Sequence, residues 1–311
     1  MAHDPPAIRG RRAPLPVRLL AYLGERFPPH THVAAGVLSF ATMARVGARV
    51  GARSAQPGEW IAGAVSTCAG LLLMRIADDL GDVELDRIHY PDRALSRGRV
   101  QVSDVRLLGL IALGGAVGLN ASRSAASVAY AVFLIALAAN HWLVPRLANG
   151  RTLVLALTNE PMYAVLFVYG FLVGIDDCHA AQVPDAVLAT AALWVPLEAW
   201  EVARKTRRAR DEDGYRTYSS LLGGNRAAAL ALALLGLSIP LNHVLLQRLA
   251  VALWVQVIAL GVAVLAAVPL VAFIAGRPHH RTMHKGLELY FLATQLIVVL
   301  GPLIAGGLGA R

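Results

Sequence analysis

Long apolar blocks separated by short polar stretches run along the chain from about residue 32 onward. Nine blocks are long enough to cross roughly 30 Å of hydrocarbon as helices, and they are rich in the Gly and Ala residues that allow helices to pack closely. The predicted spans are 32–52, 58–77, 104–121, 125–144, 152–174, 185–201, 227–246, 249–275 and 286–308. The pattern therefore predicts an all-α, polytopic membrane helical bundle of about nine transmembrane helices.

The composition supports a membrane protein. Of 311 residues, 56% are hydrophobic and 16% are charged, whereas soluble domains average about 25% charged residues. We expect residues 1–31 to form a cytoplasmic N-terminal tail and residues 32–311 to form one transmembrane helical domain. Within the tail, residues 17–26 are predicted either to form a short amphipathic helix on the membrane surface or to remain partly ordered.

The net charge of +9 is unevenly distributed between the loops. Arg and Lys are concentrated after the second, fourth, sixth and eighth predicted spans, whereas the opposite loops hold Arg53, Arg123 and Arg248. The positive-inside rule places the Arg-rich side, together with the N-terminus, in the cytoplasm. The chain lacks a basic domain outside the membrane and a basic–aromatic pattern, so the sequence excludes a nucleic-acid partner and leaves the lipid bilayer as the surroundings.

A dense acidic cluster follows the second predicted span. Its members are Asp78, Asp79, Asp82, Glu84 and Asp86. On one continuous helix, Asp78, Asp82 and Asp86 share a face, Asp79 flanks that face and Glu84 points away from it. Oxygen ligands at this spacing suit Mg²⁺. The alternative is a solvated helix end whose acids pair with nearby arginines.

The segment 78–99 resembles the first signature of the UbiA superfamily of intramembrane prenyltransferases. The signature consists of four spaced Asn/Asp positions followed by a Pro-x-Arg-Pro-Leu-x-x-Gly-Lys/Arg tail. The matched positions are Asp78, Asp79, Asp82 and Asp86, then Pro91, Arg93, Leu95, Gly98 and Arg99, with Ala94 in place of the second Pro. The resemblance implies that the four acids coordinate Mg²⁺ bridging to a prenyl diphosphate, and that Arg93 and Arg99 contact the diphosphate. Arg99 also fits an anchor on the cytoplasmic side.

A second charged cluster follows the sixth span and matches the family only in part. Gly214, Thr217 and Gly223 match the end of the second signature, but its usual Asp positions fall near Ala203, Thr206 and Arg210. The predicted substitutes are Glu198 and Glu201 as metal ligands, with Arg204 and Lys205 as diphosphate-binding residues. The alternative is a helix end in which Glu201 pairs with Arg204 and Lys205.

Two further polar sites lie within or at the ends of predicted spans. Asn159 and Glu160 precede Pro161 inside the fifth span, where they are predicted to line the reaction cavity. Alternatively, Glu160 lies near the cytoplasmic end and pairs with a nearby arginine. His141, at the end of the fourth span, is interpreted as an interface anchor.

The resemblance implies a Mg²⁺-dependent transferase that ionises a prenyl diphosphate and transfers the prenyl group to an aromatic or other acceptor. Asp79, Asp82, Glu198 and Glu201 would be its catalytic residues, and its active-site mouth would face the cytoplasm. One alternative is a UbiA-type terpene cyclase, in which the prenyl chain captures its own cation. A second is a transporter or another non-catalytic membrane protein.

Overall fold

The computed structural model describes residues 13–52, 56–121, 124–142, 161–176, 178–212, 217–277 and 280–309, and the regular structure within these ranges is helical. The helices are α1 (Leu15–Arg26), α2 (Ala34–Val50), α3 (Pro57–Gly81), α4 (Val83–His89), α5 (Val102–Asn120), α6 (Ser124–Trp142), α7 (Pro161–Ile175), α8 (Val183–Arg204), α9 (Tyr218–Leu222), α10 (Gly224–Arg248), α11 (Leu253–Ile274) and α12 (His280–Gly309). A π-helical turn, Pro29–Val33, leads into α2.

Eight of the described helical segments are long and apolar enough to cross a membrane. The ninth predicted span corresponds to α7, which is apolar but shorter, and residues 152–160 of that span lie outside the described residues. The all-α bundle of about nine spans is confirmed, and the chain is an integral, multi-pass membrane protein.

Helix α2 is the shared wall of the bundle, because it packs against α3, α7, α8 and α12. On one side, the core formed by α2, α3, α6 and α7 is centred on aromatic residues such as Phe133 and Tyr169. On the other side, α8, α10, α11 and α12 enclose a second core around Phe273 and Tyr290. A third core, containing Met43 and Phe291, joins the two halves. The charged segments at the ends of α3 and α8 therefore belong to different halves of one bundle.

Glycines allow α2 and α7 to cross at backbone contact. A Cβ added at Gly47 would lie 2.2 Å from the Phe171 carbonyl oxygen, and one added at Gly174 would lie 2.0 Å from the Ala44 carbonyl oxygen. Membrane helices have no hydrophobic driving force to associate within the bilayer. Small residues at a crossing let the backbones approach closely, and the resulting van der Waals contacts stabilise the pair. The crossing fixes the short helix α7 against the shared wall.

Gly174→Ala should lower the stability of the bundle. The added methyl group collides with backbone that has no rotamer to change, so we expect a loss of about 2 kcal/mol in the free energy of unfolding. The unfolding midpoint in detergent measures the effect. Gly118→Ala is the matched control, because a Cβ there meets nothing within 4 Å. Equal midpoints for the two variants would contradict the close crossing.

A proline inside α8 is compensated by a side chain from α10. Pro196 has no N–H to donate to the carbonyl of Ala192, one turn earlier. Asn242 Nδ2 donates to that carbonyl oxygen instead, at 3.1 Å, and Asn242 is buried. In a bilayer, a freed backbone carbonyl needs such a partner. The bond therefore joins α8 and α10 at the level where α8 is interrupted.

Candidate active site

The first acidic cluster is divided between two helices. Helix α3 ends at Gly81, Asp82 has φ −100° and ψ 8°, and α4 begins at Val83. The prediction of one continuous helical face through Asp78, Asp82 and Asp86 is therefore wrong at Asp82. As a result, Asp79 and Asp86 are the buried acids of the cluster, whereas the Asp78 side chain is 38% exposed.

Asp79 is surrounded by donors, two of which come from α1. Arg26 Nη2 donates to Oδ1 at 2.5 Å and Arg26 Nε donates to Oδ2 at 3.0 Å. The Tyr22 hydroxyl donates to Oδ2 at 2.9 Å, and Arg75 Nη1 lies 3.6 Å from Oδ1. A bidentate guanidinium is a strong partner for a carboxylate, so the burial of Asp79 is compensated.

Burial and the charge of Asp79 both affect the pKa values of its two partners on α1. Burial, followed by the negative charge of Asp79, raises the pKa of Tyr22, so its hydroxyl remains a donor. Burial alone would lower the pKa of Arg26, but the hydrogen bond and the charge of Asp79 raise it. Tyr22 and Arg26 therefore both remain hydrogen-bond donors to the Asp79 carboxylate.

Asp86 is held by the signature tail that follows α4. Its Oδ2 accepts from Arg93 Nη1, and the Arg93 guanidinium also stacks over the Tyr90 ring, 3.8 Å from the centroid. Asp86 Oδ1 is buried with no hydrogen-bond partner among the described residues. The tail returns toward α5 through Gly98, whose φ of +70° favours glycine. The matched Gly of the signature thus has a backbone role.

The remaining members of the first cluster have different surroundings. His141 Nε2, from α6, lies 3.0 Å from Asp78 Oδ1, so the interpretation of His141 as an interface anchor missed this contact. Asp82 is half-buried at the junction of α3 and α4, and Arg99 is exposed. Glu84 points outward and pairs with Arg87, which agrees with its predicted separation from the other acids.

The second cluster contains a compact ion-pair network at the end of α8. Glu201 is buried and accepts from Arg204 Nη2 at 2.6 Å and from Arg204 Nε at 2.8 Å. Lys205 Nζ lies 2.5 Å from Glu201 Oε1. The helix-end pairing left open by the sequence is therefore present. The role of Glu201 in metal binding stays a prediction.

Glu198 lies one turn before this network and is half-buried. Its Oε1 is shielded from solvent and accepts no hydrogen bond from the described residues. Trp194 lies one turn earlier on α8 and is close enough to interact with the Glu198 carboxylate. Glu198 is therefore in a different electrostatic setting from Glu201, which is held by two cations.

The loop after α8 is held together by hydrogen bonds to one carboxylate. Thr217 Oγ1 donates to Glu212 Oε2 at 2.9 Å, and Ser219 Oγ donates to Glu212 Oε1 at 2.6 Å. Thr217 Oγ1 also accepts from Ser220 N at 3.0 Å and caps α9. Gly223, with φ +82°, then leads into α10. The matched Thr217 and Gly223 thus shape this loop, while Gly214 lies outside the described residues.

The candidate metal ligands do not gather around one point in the part of the chain that the structure describes. Among the described residues, no three His, Cys, Asp or Glu side chains are grouped in a way that could hold a metal ion. Each buried acid of the two clusters has its own cations. Arg26 and Arg75 lie beside Asp79, Arg93 pairs with Asp86, and Arg204 and Lys205 pair with Glu201. The predicted cavity residues Asn159 and Glu160 lie outside the described residues.

An apolar groove of about 780 Å³ opens between α6 and α7. Small and branched side chains such as Val132, Ala164 and Val168 line it, and Cys178 lies among its lining residues. None of the acids or bases described above belongs to its lining. The groove is therefore separate from the candidate active site.

Comparison with known protein families and with curated protein sequences gave no match. Solved structures did match. A digeranylgeranylglyceryl phosphate synthase aligns with a TM-score of 0.64 at 13% identity, covering 93% of this chain and 99% of its own. An apo UbiA homologue from Aeropyrum pernix K1 gives 0.63 at 16% identity, covering 88% and 98%. This chain has the UbiA fold. A UbiA homologue from Archaeoglobus fulgidus, bound to GPP and Mg²⁺, gives 0.50 at 14% identity, covering 90% and 99%.

Three residues that contact the acids of this UbiA fold were missed by the sequence analysis. Tyr22 and Arg26 reach Asp79 from α1, and His141 reaches Asp78 from α6. One signal was available, because Arg18, Tyr22 and Arg26 recur every four residues and therefore share one face of a helix. That face turns toward Asp79 of α3 and Asp104 of α5.

Proposed function

We propose that this chain belongs to the UbiA superfamily and is a Mg²⁺-dependent intramembrane prenyltransferase. It would ionise a prenyl diphosphate and transfer the prenyl group to an acceptor. The observation that carries the proposal is the acid cluster at the junction of α3 and α4, where buried Asp79 and Asp86 coincide with the first family signature in a UbiA fold. The Archaeoglobus fulgidus homologue with this fold was solved with GPP and Mg²⁺.

The donor types present fit Mg²⁺, and the acids of the described residues would have to draw together around the ion to hold it. The donor set consists of carboxylate oxygens, which this ion prefers. A buried carboxylate oxygen without a partner, such as Asp86 Oδ1, is costly unless a cation approaches it. Asp78, Asp79, Asp82 and Asp86 would hold one ion, and Glu198 and Glu201 are the predicted ligands on the other side. When bound, Mg²⁺ stabilises the negative charge that develops on the departing diphosphate.

Basic side chains of the chain bind and orient the diphosphate in this proposal. Arg93, Arg204 and Lys205 each contact an acid at the ends of α4 and α8. Arg204 is 43% exposed, so its guanidinium is accessible from outside the bundle. Arg99 is exposed and contributes long-range positive charge. A guanidinium fork matches two phosphate oxygens at once, which holds the leaving group in a fixed orientation.

The apolar interior excludes water from the allylic cation. Buried aromatic and aliphatic side chains, including Phe40, Phe171 and Phe291, fill the bundle next to α2. Exclusion of water prevents hydrolysis of a reactive cation before the acceptor reaches it. We place the mouth and the N-terminus on the cytoplasmic side, where the Arg-rich loops favour them. Asn159 and Glu160 remain the predicted polar residues of the cavity.

The proposal is tested with the purified protein in detergent. It is incubated with Mg²⁺ and a series of prenyl diphosphates of increasing chain length starting from GPP, with and without aromatic acceptors. Diphosphate release that produces a prenylated acceptor supports the transferase. A cyclic hydrocarbon formed without acceptor would replace it by the terpene cyclase. No diphosphate release with any chain length overturns both enzymes.

A further inference from the structure

The C-terminal end of α1 occupies the coordination sites of a predicted metal ligand. Arg26 contacts both oxygens of Asp79, at 2.5 Å and 3.0 Å. The Tyr22 hydroxyl takes a second site on Oδ2 at 2.9 Å, and Arg75 approaches Oδ1 at 3.6 Å. Asp79 is 3% exposed. Both of its oxygens are therefore already engaged by donors, and the more closely bound cation comes from α1.

A divalent cation cannot simply be added to this arrangement. Mg²⁺ binds carboxylate oxygens directly, at about 2.0–2.1 Å, in a nearly octahedral shell. A guanidinium nitrogen at 2.5 Å from the same oxygen would then face the ion at close range with like charge. Because the site is buried, water would screen this repulsion poorly. Metal binding to Asp79 therefore requires the Arg26 fork to move away.

Helix α1 is held in place by contacts other than the pair between Arg26 and Asp79. Arg18 forms a separate bidentate pair with Asp104 of α5, with both distances 2.7 Å. Two turns later, Arg26 is the last residue of α1, and Phe27 and Pro28 follow it. Near the end of α1, Phe27 is 5% exposed and Glu25 Oε2 accepts from the Ala94 N–H at 3.0 Å. The Arg26 guanidinium can therefore leave Asp79 while α1 stays docked. The Arg18 anchor does not depend on Asp79.

We propose that Arg26 is an exchangeable counter-ion of Asp79, which Mg²⁺ displaces when it binds. The inference rests on the proposed function, because it concerns the predicted metal site. In the metal-free protein, Arg26 neutralises the buried acid. In the metal-bound protein, the guanidinium leaves Asp79 while α1 stays docked. Arg26 thereby sets how tightly this site binds a divalent cation.

Metal affinity is measured by titrating Mn²⁺ into the purified full-length protein. Electron paramagnetic resonance gives the concentration of free Mn²⁺ at each step. Arg26→Gln removes the competing cation, so Mn²⁺ should bind about tenfold tighter than to the wild type. Arg26→Lys keeps the charge but cannot span both oxygens, so it should bind severalfold tighter. Arg26→Lys also keeps the test decisive if Arg26→Gln does not fold.

Arg87→Gln is the matched control for removing a nearby positive charge, because Arg87 pairs with the exposed Glu84 at the same junction. It should change Mn²⁺ affinity less than about twofold. If both Arg26 variants bind Mn²⁺ no more tightly than Arg87→Gln, the exchange is refuted, while wild-type Mn²⁺ binding with diphosphate release still supports the proposed function. If none of these proteins binds Mn²⁺, the predicted metal site fails and the exchange fails with it.

Discussion

Asp82→Asn should reduce diphosphate release by about a thousandfold while leaving the bundle folded. Asp82 is half-buried at the junction between α3 and α4, where it matches the third acid of the signature. The substitution keeps the shape of the side chain and removes its negative charge, which a divalent cation requires. The kcat for diphosphate release, measured with saturating Mg²⁺ and prenyl diphosphate, gives the size of the effect. The unfolding midpoint in detergent confirms that the protein is intact.

Two variants at neighbouring acids test whether the loss of turnover is specific to Asp82. Glu84→Gln is the matched control, because Glu84 is 83% exposed on the same turn, and it should keep turnover within about twofold. Asp79→Asn should lose turnover and also about 3 kcal/mol of stability, because it leaves Arg26 without its charged partner. Wild-type turnover in Asp82→Asn would remove Asp82 from the active site. Equal stability of the two Asp→Asn variants would contradict the role of Asp79 as a buried counter-charge.

Glu201→Ala should lower the free energy of unfolding by about 2 kcal/mol, because the protein loses charge-assisted hydrogen bonds from two partly exposed cations. Glu201 is 5% exposed and contacts Arg204 and Lys205 within 2.8 Å. Its removal leaves two cations facing each other at the end of α8. The favourable interaction of cations with a helix C-terminus offsets only a fraction of this loss. Thermal unfolding in detergent, followed by circular dichroism, measures the effect.

The same experiment separates two roles for Glu201. As a counter-charge, Glu201 stabilises the protein equally with EDTA and with Mg²⁺. As a metal ligand, it also contributes to the increase in melting temperature that Mg²⁺ with diphosphate produces. Glu288→Ala, an exposed substitution on α12, is the control for losing a carboxylate. A Glu201→Ala melting temperature equal to that of Glu288→Ala would contradict the buried network.

The spans were predictable because each one needs only a long apolar block, and that pattern is local in sequence. The break at Asp82 was not predictable in the same way. The spacing of Asp78, Asp82 and Asp86 suits a continuous helix, and backbone hydrogen bonds still join Asp82 to both of the others. What turns Asp86 inward is its pairing with Arg93 of the tail, a tertiary contact that periodicity does not encode.

The contacts of Tyr22 and His141 show a second limit of sequence reasoning. The amphipathic face of α1 suits a membrane surface, but it suits the side of a helical bundle equally well. A polar residue at the end of a span, such as His141, suits the headgroup region or a neighbouring carboxylate. Only the packing of α1 and α6 against α3 decides between these surroundings. The second cluster was partly predictable, because the i, i+3 and i, i+4 spacing already offered Glu201 its cations.

The bond between Asn242 and the Ala192 carbonyl makes two distant positions depend on each other. Asn242 is needed because Pro196 leaves that carbonyl without its helical donor. In a chain of this fold with alanine at position 196, the helix would supply the donor itself, and an apolar residue at position 242 would be tolerated. We therefore expect these two positions to vary together among proteins that share this sequence pattern, with proline at 196 accompanied by an amide or hydroxyl at 242. The interruption in α8 thus restricts residue choice on another helix, 46 positions further along the chain.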